Sequence, residues 1–181
     1  SYYDISTGAI VVYTALTTPS TPTATGTGLT GTNFTYHYKV TANNAVGESA
    51  ASVADSEQVA KLRDNWISAS EYVTLSWTAV SEALSYNIYV GSTAGQEYYL
   101  ATVSAPSLSY IDDNSVSPNA FKQAPDFNST EGPTLKYMWN TDGRLWGVGD
   151  VDHPDYLWYD GGAGSEGRFS ISDGGGNVSI N

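Results

Sequence analysis

The 181-residue chain carries 7 Lys and Arg against 19 Asp and Glu, a formal charge of -12. Phosphate contacts need clustered cations, so this balance argues against sequence-specific nucleic-acid binding. Absence of cysteine excludes disulfides, thiolate nucleophiles and sulfur-ligated zinc. The chain is 13% aromatic and only 14% charged, with 14 Tyr and 5 Trp, which is ample material for a core.

No stretch approaches the roughly 20 consecutive apolar residues of a membrane-spanning helix. The longest apolar run, Ala9 to Tyr13, is strand length. A start at Ser1, directly in strand-like sequence, reads as a segment of a longer polypeptide. Apolar residues mostly alternate with polar ones at period two, punctuated by Gly, Pro, Asn, Ser and Thr, the all-β pattern.

Residues 1–16 contain the first strand, and Thr17 to Thr23 reads as an exposed Pro/Thr junction. Next, Phe34, Tyr36, Tyr38, Val40 and Ala42 share one strand face, with Thr35, His37, Lys39 and Thr41 on the other. The turn Asn43 to Ser49 follows, and a return strand is expected through Ala50 and Val53. Between Asp55 and Trp66, the spacing of Val59, Leu62 and Trp66 and an Asp55/Gln58 capping box predict a short helix. Val73, Leu75 and Trp77 then face one way, followed by Tyr86, Ile88 and Val90, and by strands at Tyr98–Val103 and Leu108–Ile111. Asp112, Asp113 and Asn114 read as a closing turn. About six short strands in roughly 95 residues have the rhythm of a β-sandwich.

Tyr36-His37-Tyr38-Lys39-Val40-Thr41-Ala42, with Asn44 and Gly47-Glu48-Ser49, resembles the last hairpin of fibronectin type III domains. Val73 to Trp77, with Ala83 and Ser85 to Tyr89, is similar to the same family's second and third strands, where the Trp and Tyr fill the core. The order is reversed relative to the family. Two incomplete sandwiches in tandem, or one with permuted connectivity, would produce it. The permuted sandwich, over residues 17–117, is favoured because neither half alone buries enough surface. The resemblance places Tyr36, Tyr38, Trp77 and Tyr86 in the core.

Residues 118–134 read as a linker, and residues 135–181 as a run of short strands through Leu135–Trp139, Arg144–Gly149 and Tyr156–Asp160. Gly143 to Gly149, with Pro154 and Leu157 to Tyr159, resembles a β-propeller blade of the tail nozzle proteins of short-tailed bacteriophages, with Trp146 and Trp158 as core or interface aromatics. One blade cannot stand alone, so the strand in residues 1–16 is expected to belong to a neighbouring blade, with the sandwich inserted between. That resemblance implies a non-enzymatic structural protein of the virion tail. Its partners would be copies of itself and other tail proteins in a ring, with DNA passing through the assembly. The alternative is a secreted, extracellular carbohydrate-binding or adhesive module, with Trp66, Tyr89, Tyr98 or Tyr99 as the sugar platform. A propeller hydrolase fragment is disfavoured because nothing fixes a pair of facing acids: Asp112, Asp113 and Glu48 all fall in expected turns, where acids are ordinarily solvated.

His37 reads as a sheet-surface residue. Asp150, Asp152 and Asp155, around His153 and near Asp160, form a weak candidate for a hard cation such as calcium, but the segment lacks the EF-hand glycine and closing glutamate. Turn formation is the simpler reading, and no metal or cofactor is expected. The glycines at 161, 162 and 164 precede no Lys-Ser/Thr and so form no phosphate cradle. Three Asn-x-Ser/Thr triplets, at Asn33, Asn128 and Asn177, arise readily by chance in a chain this rich in Ser and Thr.

Overall fold

A computed structural model describes residues 2–4, 9–11, 14–131, 135–150, 154–162 and 175–180. These residues are all-β, with fourteen strands and a single 3₁₀ turn at Arg63–Asn65. The strands are β1 (Tyr2–Asp4), β2 (Ala9–Val11), β3 (Thr23–Thr27), β4 (Phe34–Asn43), β5 (Asp55–Val59), β6 (Tyr72–Ser76) and β7 (Ser85–Gly91). They continue as β8 (Tyr98–Ser104), β9 (Ser109–Asp112), β10 (Asn119–Gln123), β11 (Tyr137–Thr141), β12 (Arg144–Val148), β13 (Tyr156–Tyr159) and β14 (Gly176–Ser179).

All pairings are antiparallel. A five-stranded sheet runs β10-β8-β7-β4-β5, and a three-stranded sheet runs β3-β6-β9. The two share one core. Tyr38, Val40 and Ala42 from β4 and Tyr86, Ile88 and Val90 from β7 meet Val73 and Leu75 from β6, all at 2% exposure or less. Each buried Val, Leu or Ile among them contributes roughly 1.5–3 kcal/mol by leaving water. The hairpin strand β4 pairs directly with β7, Val40 opposite Ile88 and Ala42 opposite Tyr86, so the hairpin and the Trp77 segment serve one core. The Trp77 and Tyr86 rings lie 5.4 Å apart, and the Tyr86 hydroxyl accepts the Val80 N–H at 2.9 Å.

The helix expected over residues 55–66 does not form. Asp55–Val59 is strand β5, paired with Phe34–Tyr38, and only Arg63–Asn65 makes a 3₁₀ turn. Tertiary use of the acids overrides the helical spacing: Asp55 Oδ2 accepts the Ala24 N–H at 2.8 Å and Glu57 Oε1 the Gly26 N–H at 2.9 Å. These are outward-facing donors of β3, an edge strand of the smaller sheet. The carboxylates of β5, the edge of the larger sheet, therefore close one side of the sandwich, and Gly26 matters because a Cβ there would lie 2.7 Å from Glu57 Oε1.

The return past the hairpin turn also differs from expectation. Ser49 N–H and Ser52 N–H bond Ala42 O and Val40 O, but regular strand begins only at Asp55, and Val53 is exposed. The serines explain the irregularity. Ser52 Oγ accepts the Val40 N–H and Ser49 Oγ the Ala42 N–H, both at 3.0 Å, so hydroxyls replace two carbonyls of a regular ladder.

At the other end of the core, Asp112 is buried. Arg63 donates to it through Nε at 2.8 Å and Nη2 at 2.5 Å, and the Tyr38 hydroxyl donates at 2.9 Å. Arg63 Nη1 also donates to Asn114 Oδ1, and its backbone N–H to the Tyr36 hydroxyl. Asp112 thus ties β9 of one sheet to β4 of the other, correcting its reading as a solvated turn acid. A buried pair adds little over apolar packing, yet losing one member strands a charge at a cost of about 3–5 kcal/mol.

β1 and β2 pair with each other (Tyr3 opposite Ile10) in a separate two-stranded sheet and, among the described residues, with no strand of the last sheet. Val12 and Tyr13 lie outside them. The stretch read as a linker supplies strand β10, which joins β8 through a bulge between Asn119 and Gln123. Strands β11 to β14 follow as a four-stranded meander in chain order. Its first turn is set by Asp142 and Gly143 at φ 53° and 71°, the left-handed pair that a two-residue hairpin requires.

Candidate contact surface and cleft

Strand alternation gives the meander two apolar faces. Trp139 lies opposite Trp146, Trp146 opposite Tyr159, and Leu157 opposite Val178. Tyr137, Trp139, Trp146, Val148, Leu157, Tyr159 and Val178 therefore share one face. Leu145, Tyr156 and Trp158 belong to the other, which is covered: Trp158 is 1% exposed and packs with Val46, Phe127 and Leu135. Gly147 permits that closeness, since a Cβ would lie 2.3 Å from Leu135 Cδ1.

The first face is not covered by any buried cluster among the described residues. Tyr137 is 65% and Trp139 43% exposed. Trp146 and Tyr159 stack at 5.3 Å, and the Arg144 guanidinium lies 5.7 Å over the Tyr159 ring. Trp146 Nε1 is shielded from water and has no acceptor among the described residues. Such a donor costs free energy until an acceptor is supplied. A contiguous aromatic face of this kind marks a contact surface.

The covered face is fastened to the sandwich by residues 125–131. Asn44 Nδ2 donates to Thr130 O at 2.7 Å, and Glu48 N–H to Ser129 Oγ at 3.0 Å. Asn128 Nδ2 donates to Leu16 O at 2.6 Å, while Leu16 N–H donates to Thr130 Oγ1 at 2.8 Å. The Asn128 triplet is thus engaged in the joint. Gly47 has no space for a side chain, since a Cβ would lie 2.1 Å from Ser129 O.

Beside this joint lies a cleft of about 320 Å3. Phe121 and Gln123 line it from β10, Asp126 and Phe127 from the connector, and Tyr156, Tyr159, Gly176 and Asn177 from the meander. Glu48 borders it with its carboxylate turned into the sheet: Oε1 accepts from Thr41 Oγ1, Asn87 Nδ2 and Tyr89 Oη at 2.5, 2.8 and 2.5 Å. Glu48 is 2% exposed, so it too is a buried structural acid rather than the solvated one expected. Burial and the adjacent Glu48 charge push the Tyr89 phenol well above its ordinary pKa.

Tyr36, Tyr38, Trp77, Tyr86 and Trp158 are buried, whereas Trp146 is half-buried on the outward face. Of the suggested sugar platform, Trp66 and Tyr89 are buried and cannot stack on a ligand, and Tyr98 and Tyr99 are half-buried on β8. Asp150 is buried, Asp155 lies at the Ser179 hydroxyl, and Asp152 and His153 fall outside the described residues. Asp160 serves as a cap, its Oδ1 accepting the Leu145 and Gly162 N–H groups. Among the described residues no three His, Asp or Glu side chains form a metal-sized group. The cleft escaped sequence reading because its walls come from separate segments around Gln123, Phe127, Tyr156 and Asn177 that no local pattern connects. No protein-family model, curated protein or solved structure matches the chain.

Proposed function

We propose that this chain is a non-enzymatic structural component of a bacteriophage virion, part of a tail nozzle or tail tube assembly. In this reading residues 17–117 are a fibronectin type III-like sandwich with permuted connectivity, a peripheral module for protein–protein contact. The adjacency of β4 and β7 is what a permuted sandwich requires. Residues 135–181 supply propeller-type blade strands. The observation that carries the reading is the meander with two apolar faces, only one of them covered by a buried cluster among the described residues. Blade-like sheets are stabilised by radial repetition, so the open face asks for a neighbouring sheet from another copy or another tail protein. The charge of -12 suits a wall past which DNA moves without adhering.

Electron cryo-microscopy of the source particle tests this. Repeated copies around the tail axis, with Trp139 and Trp146 at an interface, are the expected result. Absence from the particle, or Trp139 and Trp146 facing solvent there, overturns it. The second reading, a secreted glycan-binding or adhesive module, is favoured by one observation, the aromatic-lined cleft.

A further inference from the structure

We propose that the cleft between β10, the connector and the β13–β14 pair is a binding site for a neutral saccharide. The site stands under either reading of the whole chain, because it uses residues that the outward face of the meander, Tyr159 apart, does not.

Saccharide recognition needs flat aromatic surfaces for the C–H faces of a sugar and planar polar groups around them for its hydroxyls. Both are present. Phe121 is 98% exposed, held off the sheet by the β10 bulge, where only Asn119 and Gln123 find partners on β8. Across the cleft stand Tyr156, braced by Phe127 at 5.5 Å, and Tyr159. Gly176 leaves room for the Tyr159 ring, since a Cβ there would lie 3.1 Å from its hydroxyl.

Two polar groups are unspent: among the described residues the exposed Asp126 accepts no hydrogen bond, and the half-buried Asn177 carboxamide makes none. Gln123 donates through Nε2 to Gly95 O at 2.7 Å, which orients its amide and leaves Oε1 to accept. A carboxylate and two carboxamides thus surround three rings.

Competing ligands fit less well. An anionic ligand would meet Asp126 in a chain of net charge -12, and the lining cation, Lys122, is engaged 5.6 Å over the Tyr99 ring. A peptide adding as a strand needs an evenly spaced ladder, which the β10 bulge interrupts. The volume of about 320 Å3 is at the low end for small-molecule sites and suits a short saccharide segment.

The test titrates the whole isotope-labelled chain with maltohexaose, cellohexaose and chitohexaose, with heparin as the anionic control and a capped strand-forming peptide as the protein control, read by amide chemical shifts. At least one neutral oligosaccharide should shift residues 121–127 and 176–177. Phe121→Ala and Asp126→Ala should each weaken it about tenfold, near 1.4 kcal/mol, at unchanged melting temperature, because both side chains are exposed. Silence toward all three neutral probes overturns the proposal. So does binding that survives the double variant, or binding of only heparin or only the peptide.

Discussion

Glu48 and Asp112 are acids whose neighbours include a buried phenol each, and this pairing dictates an alkaline limit to stability. Burial first, then the adjacent Asp112 or Glu48 charge, hold Tyr38 and Tyr89 well above the ordinary value of 10.0. The fold keeps both phenols protonated at a pH where the unfolded chain has released its protons. Their contribution is complete below about pH 10 and is lost as pH rises toward the folded-state pKa, at about 1.4 kcal/mol per pH unit for each tyrosine. Denaturant titrations of the wild type and of Tyr38→Phe and Tyr89→Phe across this range should show a shallower alkaline decline in each variant. Parallel declines would refute the assignment. Neither acid was legible as buried in the sequence. Asp112 depends on Arg63 and Tyr38, and Glu48 on Asn87 and Tyr89, all distant in the chain, whereas the local Asp-Asp-Asn and Gly-Glu-Ser strings are those of ordinary turns.

Among the elements, period-two alternation located β4, β6 and β7, because one face of each packs in a core and the pleat enforces the repeat. It failed at β5. Val59, Leu62 and Trp66 do share helical spacing, but the chain uses Asp55 and Glu57 to satisfy backbone donors of β3, a demand made by residues some 30 positions earlier. This contact is testable by itself. Asp55→Ala with Glu57→Ala should speed amide exchange at Ala24 and Gly26 selectively and cost about 1–3 kcal/mol, the range for a part-buried donor left without an acceptor. Exchange unchanged at those two amides would show that water replaces the carboxylates without loss. β10 was hidden for another reason: its bulge disrupts the alternation, and Pro118 and Pro125 flank it as they would flank a linker.

At the scale of the whole molecule, the sandwich and the meander are joined through one turn and one connector. The sequence makes the Asn44-to-Ser49 turn conspicuous but not what it docks on, since Ser129 and Trp158 lie 80 and more residues away. Gly47→Ala places a methyl group against Ser129 O, where neither backbone can yield freely, so it should cost about 1–3 kcal/mol, as overpacking does. The loss should appear first as loosening of the meander, with Trp158 fluorescence shifting before the sandwich melts. A single transition with unchanged midpoint would contradict the rigid joint.

The hydrogen bonds between Leu16 and the Asn128–Thr130 stretch have a consequence for ancestry and engineering. They bring the two ends of a folded body of more than 110 residues side by side, the geometry of a cassette. Such a body can be spliced into a surface loop of an unrelated host, or deleted and its stumps rejoined, without prying the host apart. Variation in length among descendants of this chain is therefore expected to arise by gain or loss of the whole sandwich between residues 16 and 128, rather than by trimming within it.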